Sequence, residues 1–263
     1  MGTSKSYSGS GGKAAKNIQR DVHDWLEQLP PAPDSPENPQ DAVPALEPNS
    51  LLNVIALIRP RSKGGSGGDG PGGGARGVAD ATTGGRSGGG ARRSVARTAS
   101  TAGRAAAAAY AFRVGDRVTL ERLGLDFSEL EALGNPIEVA RRIVDAACGP
   151  RSDSTIEETE QRLVAAEVAE WVLVQEVEGY VPTPEEITRH ALAVIIADAY
   201  LTESGGLIST HDRAELAEQQ IRDAAEALAA RANLSLNGVS EDEFARAVEQ
   251  GIEDLRRIHS GGS

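Results

Sequence analysis

The chain has 263 residues, with 30 glycines, 13 prolines and only 3% aromatics, a composition that keeps part of its length out of any packed core. A single cysteine excludes an internal disulfide, and four histidines in separate segments exclude the usual zinc spacings. The net charge of −12 is unevenly spread, with 14 basic and 9 acidic side chains in residues 1–113 against 13 and 30 in residues 114–263, so the amino-terminal part is cationic and the remainder anionic.

The first dozen residues, Met1-Gly2-Thr3-Ser4-Lys5-Ser6-Tyr7-Ser8-Gly9-Ser10-Gly11-Gly12, carry almost no apolar surface. Residues 1–13 therefore read as a flexible tail. Gly2 is a good substrate for removal of the initiator methionine, which leaves an unhindered α-amine whose ordinary pKa is about 8, so a usable fraction is neutral and nucleophilic. From Ala14 to Leu29 the apolar residues Ile18, Val22, Trp25, Leu26 and Leu29 recur at helical spacing, and Pro30-Pro31 stops the helix. A proline-rich spacer leads to a second short apolar helix over Leu51 to Ile58, with Asn49 or Ser50 as its cap. Neither helix is long enough to be stable alone, so both need a surface to pack on, either a partner or this chain's own body.

Residues 59–104 read as a disordered Gly/Arg-rich linker, with a helix starting somewhere in 91–104 and running through the Ala105–Ala109 run to about 113. Phe127, Leu130 and Leu133 make a short helical face. Asn135-Pro136 opens a helix carrying Ile137, Ala140, Ile143, Val144 and Ala147, ended by Gly149-Pro150. Ser154 with Glu157 reads as a capping box before a helix lined by Val164, Val168, Trp171 and Val172. Thr183-Pro184 with Glu186 repeats it ahead of Ala191–Ala197, apolar nearly all round and expected at the centre. Ala217, Ile221, Ala224 and Leu228 line the next helix; Ser240 and Glu243 cap a last one with Phe244, Val248, Ile252 and Leu255. No segment alternates as a strand does. The expected fold is all-α: a helical bundle over 105–258, preceded by a largely disordered Gly/Pro/Arg-rich region with two short helices in 14–58, and followed by a disordered 259–263.

Chemistry is sparse. Gly9-Ser10-Gly11-Gly12-Lys13 fails as a phosphate loop because Ala14 stands where a magnesium-binding hydroxyl is needed and no strand precedes it. The acidic runs Glu157-Glu158-Glu160 and Glu241-Asp242-Glu243 lie in first turns, where carboxylates favour the helix dipole. Cys148 reads as a buried structural thiol. No catalytic constellation and no metal site are expected, so the chain is read as a non-enzyme. No stretch reaches the roughly 18 apolar residues of a membrane span, and no apolar segment follows the first lysines as a secretory signal requires, so the cytoplasm is expected. Met1-Gly2 with Ser6 also fits the loose myristoylation pattern, at odds with the arginine-rich, lysine-poor composition of a high-GC bacterial genome. Arg86, Arg92, Arg93, Arg97 and Arg104 could touch phosphates, but no interleaved aromatics accompany them, and nucleic acid is not expected as a partner.

The opening Met1-Gly2-Thr3-Ser4, continued by Ser6-Tyr7 and glycine-rich sequence, resembles the start of QatB proteins, the small subunit of the bacterial Qat anti-phage defence systems; Ser8-Gly9-Ser10 departs from the Gly-Gly-Pro expected after the tyrosine. The resemblance implies a non-catalytic subunit working beside a QueC-like, QatC-like enzyme and other Qat subunits. That enzyme uses ATP to activate the carboxylate of a 7-deazaguanine; this chain binds no cofactor. Gly2 is then the modified residue, and Thr3, Ser4, Ser6 and Tyr7 hold the tail in the enzyme's pocket; the amphipathic face of Ile18, Val22, Trp25, Leu26 and Leu29 is the candidate docking face, on that partner or on this chain's own bundle. The alternatives are a helical adaptor with a passive tail, or a nucleic-acid-binding protein acting through the arginine linker.

Overall fold

The computed structural model describes residues 13–29, 45–58, 95–149, 156–174 and 179–261, and among these it contains ten α-helices and no strand. The helices are α1 (Lys13–Leu26), α2 (Leu52–Ile55), α3 (Val95–Val114), α4 (Arg117–Arg122), α5 (Phe127–Leu133), α6 (Pro136–Cys148), α7 (Ile156–Leu173), α8 (Pro184–Ile208), α9 (Ala214–Ala229) and α10 (Glu241–Gly261). The all-α expectation holds, and one apolar core joins residues from every part of the described chain.

Two helices run through the centre. The Ala191–Ala197 segment of α8 is wholly buried, as its all-round apolar character requires. The second central helix is α3, whose Ala105–Ala109 run is buried on every side. Alanine permits this: with only a methyl group projecting, α7 and α10 approach the α3 backbone closely. The tightest point is Gly103, where an added Cβ would lie 2.7 Å from the Glu241 carbonyl oxygen and 2.9 Å from the Ala245 nitrogen of α10. α7 and α10 touch both central helices; α6 and α4 pack on the α3 side, while α9, α1 and α2 pack on the α8 side.

Local signals set five of the helix starts. Asn135 accepts from Ile137 N at 2.9 Å, and Thr183 with Glu186 forms the reciprocal capping box, Thr183 N donating to Glu186 Oε2 at 2.7 Å. Ser240 Oγ accepts from Glu243 N at 3.3 Å. Two further caps escaped the sequence reading: Asp116 accepts from Thr119 N at 3.1 Å, and Asp126 from Glu129 N at 2.8 Å. The Thr119 hydroxyl and amide hold the Asp116 carboxyl below its ordinary range. Gly149, at φ 74°, ends α6 in a conformation that side chains resist.

Several boundaries move. The segment before α2 begins as a 3-10 turn at Pro48–Leu51, flanked by Glu47, and neither Asn49 nor Ser50 caps it; Asn49 Oδ1 instead accepts from Arg231 at 2.7 Å. α3 starts at Val95, within the expected 91–104 window, and buries Ala99 and Ala102, so residues 95–104 belong to the packed body and not to the linker. α10 continues to Gly261, so residues 259–261 are helical. Leu133 and Ile137, expected on apolar faces, are exposed. Cys148 is half-buried, and burial pushes its thiol up in pKa. The Ser154 cap lies outside the described residues, as does the expected linker as far as residue 94.

Candidate functional site

The sequence points to the amino-terminal tail, and the structure shows what that tail is fastened to. Gly2, Thr3, Ser4, Ser6 and Tyr7 lie outside the described residues, which begin at Lys13 with the first turn of α1. Ala15, Ile18 and Val22 are fully buried, and Trp25, Leu26 and Leu29 nearly so, against α8 and α2. This corrects the expectation of a partner-docking face: the apolar stripe of Ile18, Val22, Trp25, Leu26 and Leu29 is covered by this chain's own helices. Burying a side chain of this size is worth about 1.5–3 kcal/mol, which several such residues together supply to a helix unstable by itself.

Polar contacts reinforce the anchor. Asn53 Nδ2 on α2 donates to Asp21 Oδ2 on α1 at 3.1 Å. Arg256 on α10 donates Nε to the Ile55 carbonyl at 3.1 Å and Nη2 to the Ile58 carbonyl, occupying oxygens that the end of α2 leaves without helical donors. Tyr200 of α8 is fully buried beneath this corner; burial, and then the negative charge of Asp21, drive its hydroxyl far above the ordinary tyrosine pKa, so it stays protonated. The segment carrying the tail is thus held to the body at α1, α2, α8 and α10.

A group of interacting titratable side chains lies between α7, α8 and α9. The His190 imidazole stacks on the Trp171 indole with centroids 4.4 Å apart and planes 13° from parallel. Burial, and then the Arg222 charge, lower its pKa to about 4, so the ring is neutral over the physiological range. Arg222 also pairs with Glu167, yet burial outweighs that partner and holds the Glu167 carboxyl above its ordinary range. A His–Glu–Arg grouping invites a general-base reading, but His190 Nε2 is enclosed by protein and has no surface for a reactant to reach. Nothing in the sequence pairs Trp171 with His190, since they belong to different helices.

Arg104 pairs with Glu241 at 3.0 Å across α3 and α10, which spends it within the fold, whereas Arg97 is exposed and Arg86, Arg92 and Arg93 lie outside the described residues. Glu243 donates its backbone N–H to the Ser240 cap of α10, and its carboxylate pairs with Arg246, as a first-turn carboxylate does. No group of three or more His, Cys, Asp or Glu side chains is placed to hold a metal ion among the described residues. α8 is long and apolar enough to cross a membrane, contrary to the sequence reading, and 67% of its most apolar window is buried inside the body, as in a core helix. Comparison of the chain with known protein families, curated proteins and solved structures gives no match.

Proposed function

We propose that this chain is a non-catalytic partner subunit of a bacterial, cytoplasmic anti-phage defence system of the Qat kind, and that its amino-terminal glycine is the substrate of a QueC-like enzyme. The observation that carries the reading is the tail sequence itself, Met1-Gly2-Thr3-Ser4 with Ser6-Tyr7, a small second residue on a polar leash. Once Met1 is removed, the partner adenylates the carboxylate of a 7-carboxy-7-deazaguanine with ATP, releasing pyrophosphate. The neutral Gly2 α-amine attacks the acyl carbon, AMP leaves, the nitrogen loses a proton and an amide remains. An α-amine is ammonia bearing one substituent, which is why an enzyme built for ammonia can accept it. Glycine suits the position because nothing on its α-carbon obstructs the approach and its backbone reaches conformations closed to other residues. Thr3, Ser4, Ser6 and Tyr7 supply the polar contacts that hold the tail during transfer.

The anchoring of α1 supports this division of labour: residues 1–12 precede a helix whose apolar face is already occupied, so the body serves as the handle. The test is intact-mass analysis of the full chain produced together with its QueC-like partner. The expected result is loss of Met1 and gain of one deazaguanine acyl group, abolished by Gly2→Val. A chain that stays unmodified under those conditions refutes the reading. The adaptor alternative is favoured by the size of the ordered body; deleting residues 1–12 separates the two, since an adaptor keeps its complex and its protective effect against phage.

A further inference from the structure

The outer surface of the α6–α7 pair holds an open groove of about 490 Å³. Val144 and Ala166 form its floor, and Ile137 and Leu163, 59% and 60% exposed, stand on its two rims. A single exposed aliphatic residue is ordinary on a protein surface. Two that converge on one apolar depression form a patch that water solvates poorly. Two opposite charges line the same groove, Arg141 from α6 and Glu170 from α7, and neither is ion-paired with another described residue. The neighbouring Arg162 is different, since Asp145 at 3.1 Å and the Gly149 carbonyl already occupy it.

We propose that this groove is the interface of a homodimer, in which a second copy docks its own α6–α7 pair across a two-fold axis. Each Leu163 enters the other copy's groove over Val144 and Ala166, and each Arg141 meets the other copy's Glu170. Charge selects the occupant. Residues 114–263 carry 13 basic and 30 acidic side chains, so the bodies of two copies repel each other except where the local charge balances, as it does in this groove. A two-fold contact requires a surface complementary to itself, and an apolar groove bearing one cation and one anion, neither paired by another described residue, meets that requirement. A partner of uniform charge, acidic or basic, would leave one of the two uncompensated, at a cost in affinity.

Dimerisation through this groove is independent of the chemistry of the tail and is tested on the full chain alone. Sedimentation or light scattering over a concentration series should give twice the 27.4 kDa chain mass. Leu163→Arg should weaken dimerisation by at least about tenfold, the equivalent of 1.4 kcal/mol. Its circular dichroism should stay unchanged, because the side chain is exposed. Arg141→Glu should weaken the dimer most at low salt, and adding Glu170→Arg should restore it. A monomer at every concentration, or a dimer indifferent to both Leu163→Arg and Arg141→Glu, overturns the proposal. Failure of the charge swap to restore association overturns the two-fold register.

Discussion

Replacing Gly103 by alanine sets two opposing effects against each other, and the structure decides the sign. In a solvated helix the change adds up to about 1 kcal/mol of stability, because alanine loses less conformational entropy than glycine. At position 103 the new methyl carbon would sit 2.7 Å from Glu241 O, 2.9 Å from Ala245 N and 3.3 Å from Ala245 Cα. All three are backbone atoms of α10, so no flexible side chain can swing aside, and the helices must separate by several tenths of an ångström. The separation would also stretch the 3.0 Å Arg104–Glu241 ion pair. Overpacking of this kind costs about 1–3 kcal/mol, towards the upper end where backbone meets backbone, leaving a net loss of about 1–2 kcal/mol. For a body of this size that lowers Tm by about 2–8 °C. The internal control is Gly206 on α8, where nothing lies within 4 Å of an added Cβ; there alanine should stabilise by about 0.5–1 kcal/mol. Urea denaturation of both variants reads the difference. A Gly103→Ala protein as stable as Gly206→Ala would refute the close α3–α10 approach.

Other outcomes follow from the anchor, the caps and the buried histidine. Ile18→Ala, at a fully buried position, should cost about 2–5 kcal/mol in chemical denaturation; a free docking face would leave stability almost unchanged. Arg256→Met should raise hydrogen exchange selectively in residues 51–58, because the Ile55 and Ile58 carbonyls lose their donor, and uniform exchange would deny Arg256 that role. Thr183→Ala removes one half of the capping box and should lower stability by about 1 kcal/mol, read as a shift in urea midpoint. His190 has its folded pKa depressed to about 4 from 6.5, so the unfolded chain takes up a proton that the native state refuses, and this contribution to stability is lost as pH falls through that window. His190→Phe keeps a ring on Trp171 but cannot titrate, so its stability should fall less with acidification than that of the parent chain. Glu167, held above its ordinary range, contributes the opposite slope in both proteins and cancels in the comparison. Equal slopes would show that His190 is hydrated in the native state.

Helix class, most apolar stripes and several starts are written in the sequence because the interactions that specify them span three or four residues. Thr183 with Glu186, Asn135 before Pro136, and the row Phe244, Val248, Ile252 and Leu255 each carry their meaning locally. The tail residues Gly2, Thr3, Ser4, Ser6 and Tyr7 likewise belong to the sequence alone. What covers an apolar stripe is a long-range matter, since periodicity reveals the stripe and not its neighbour. The face of Ile18 and Val22 therefore looked equally suited to a partner until packing placed α8 and α2 over it. Tertiary structure likewise decided that the alanine run of α3 is central, that Arg104 is spent on Glu241, and that Trp171 meets His190 across two helices. It also left Ile137 and Leu163 uncovered on the outside of α6 and α7. Each of these depends on which helices meet across the core, and no local pattern encodes that choice.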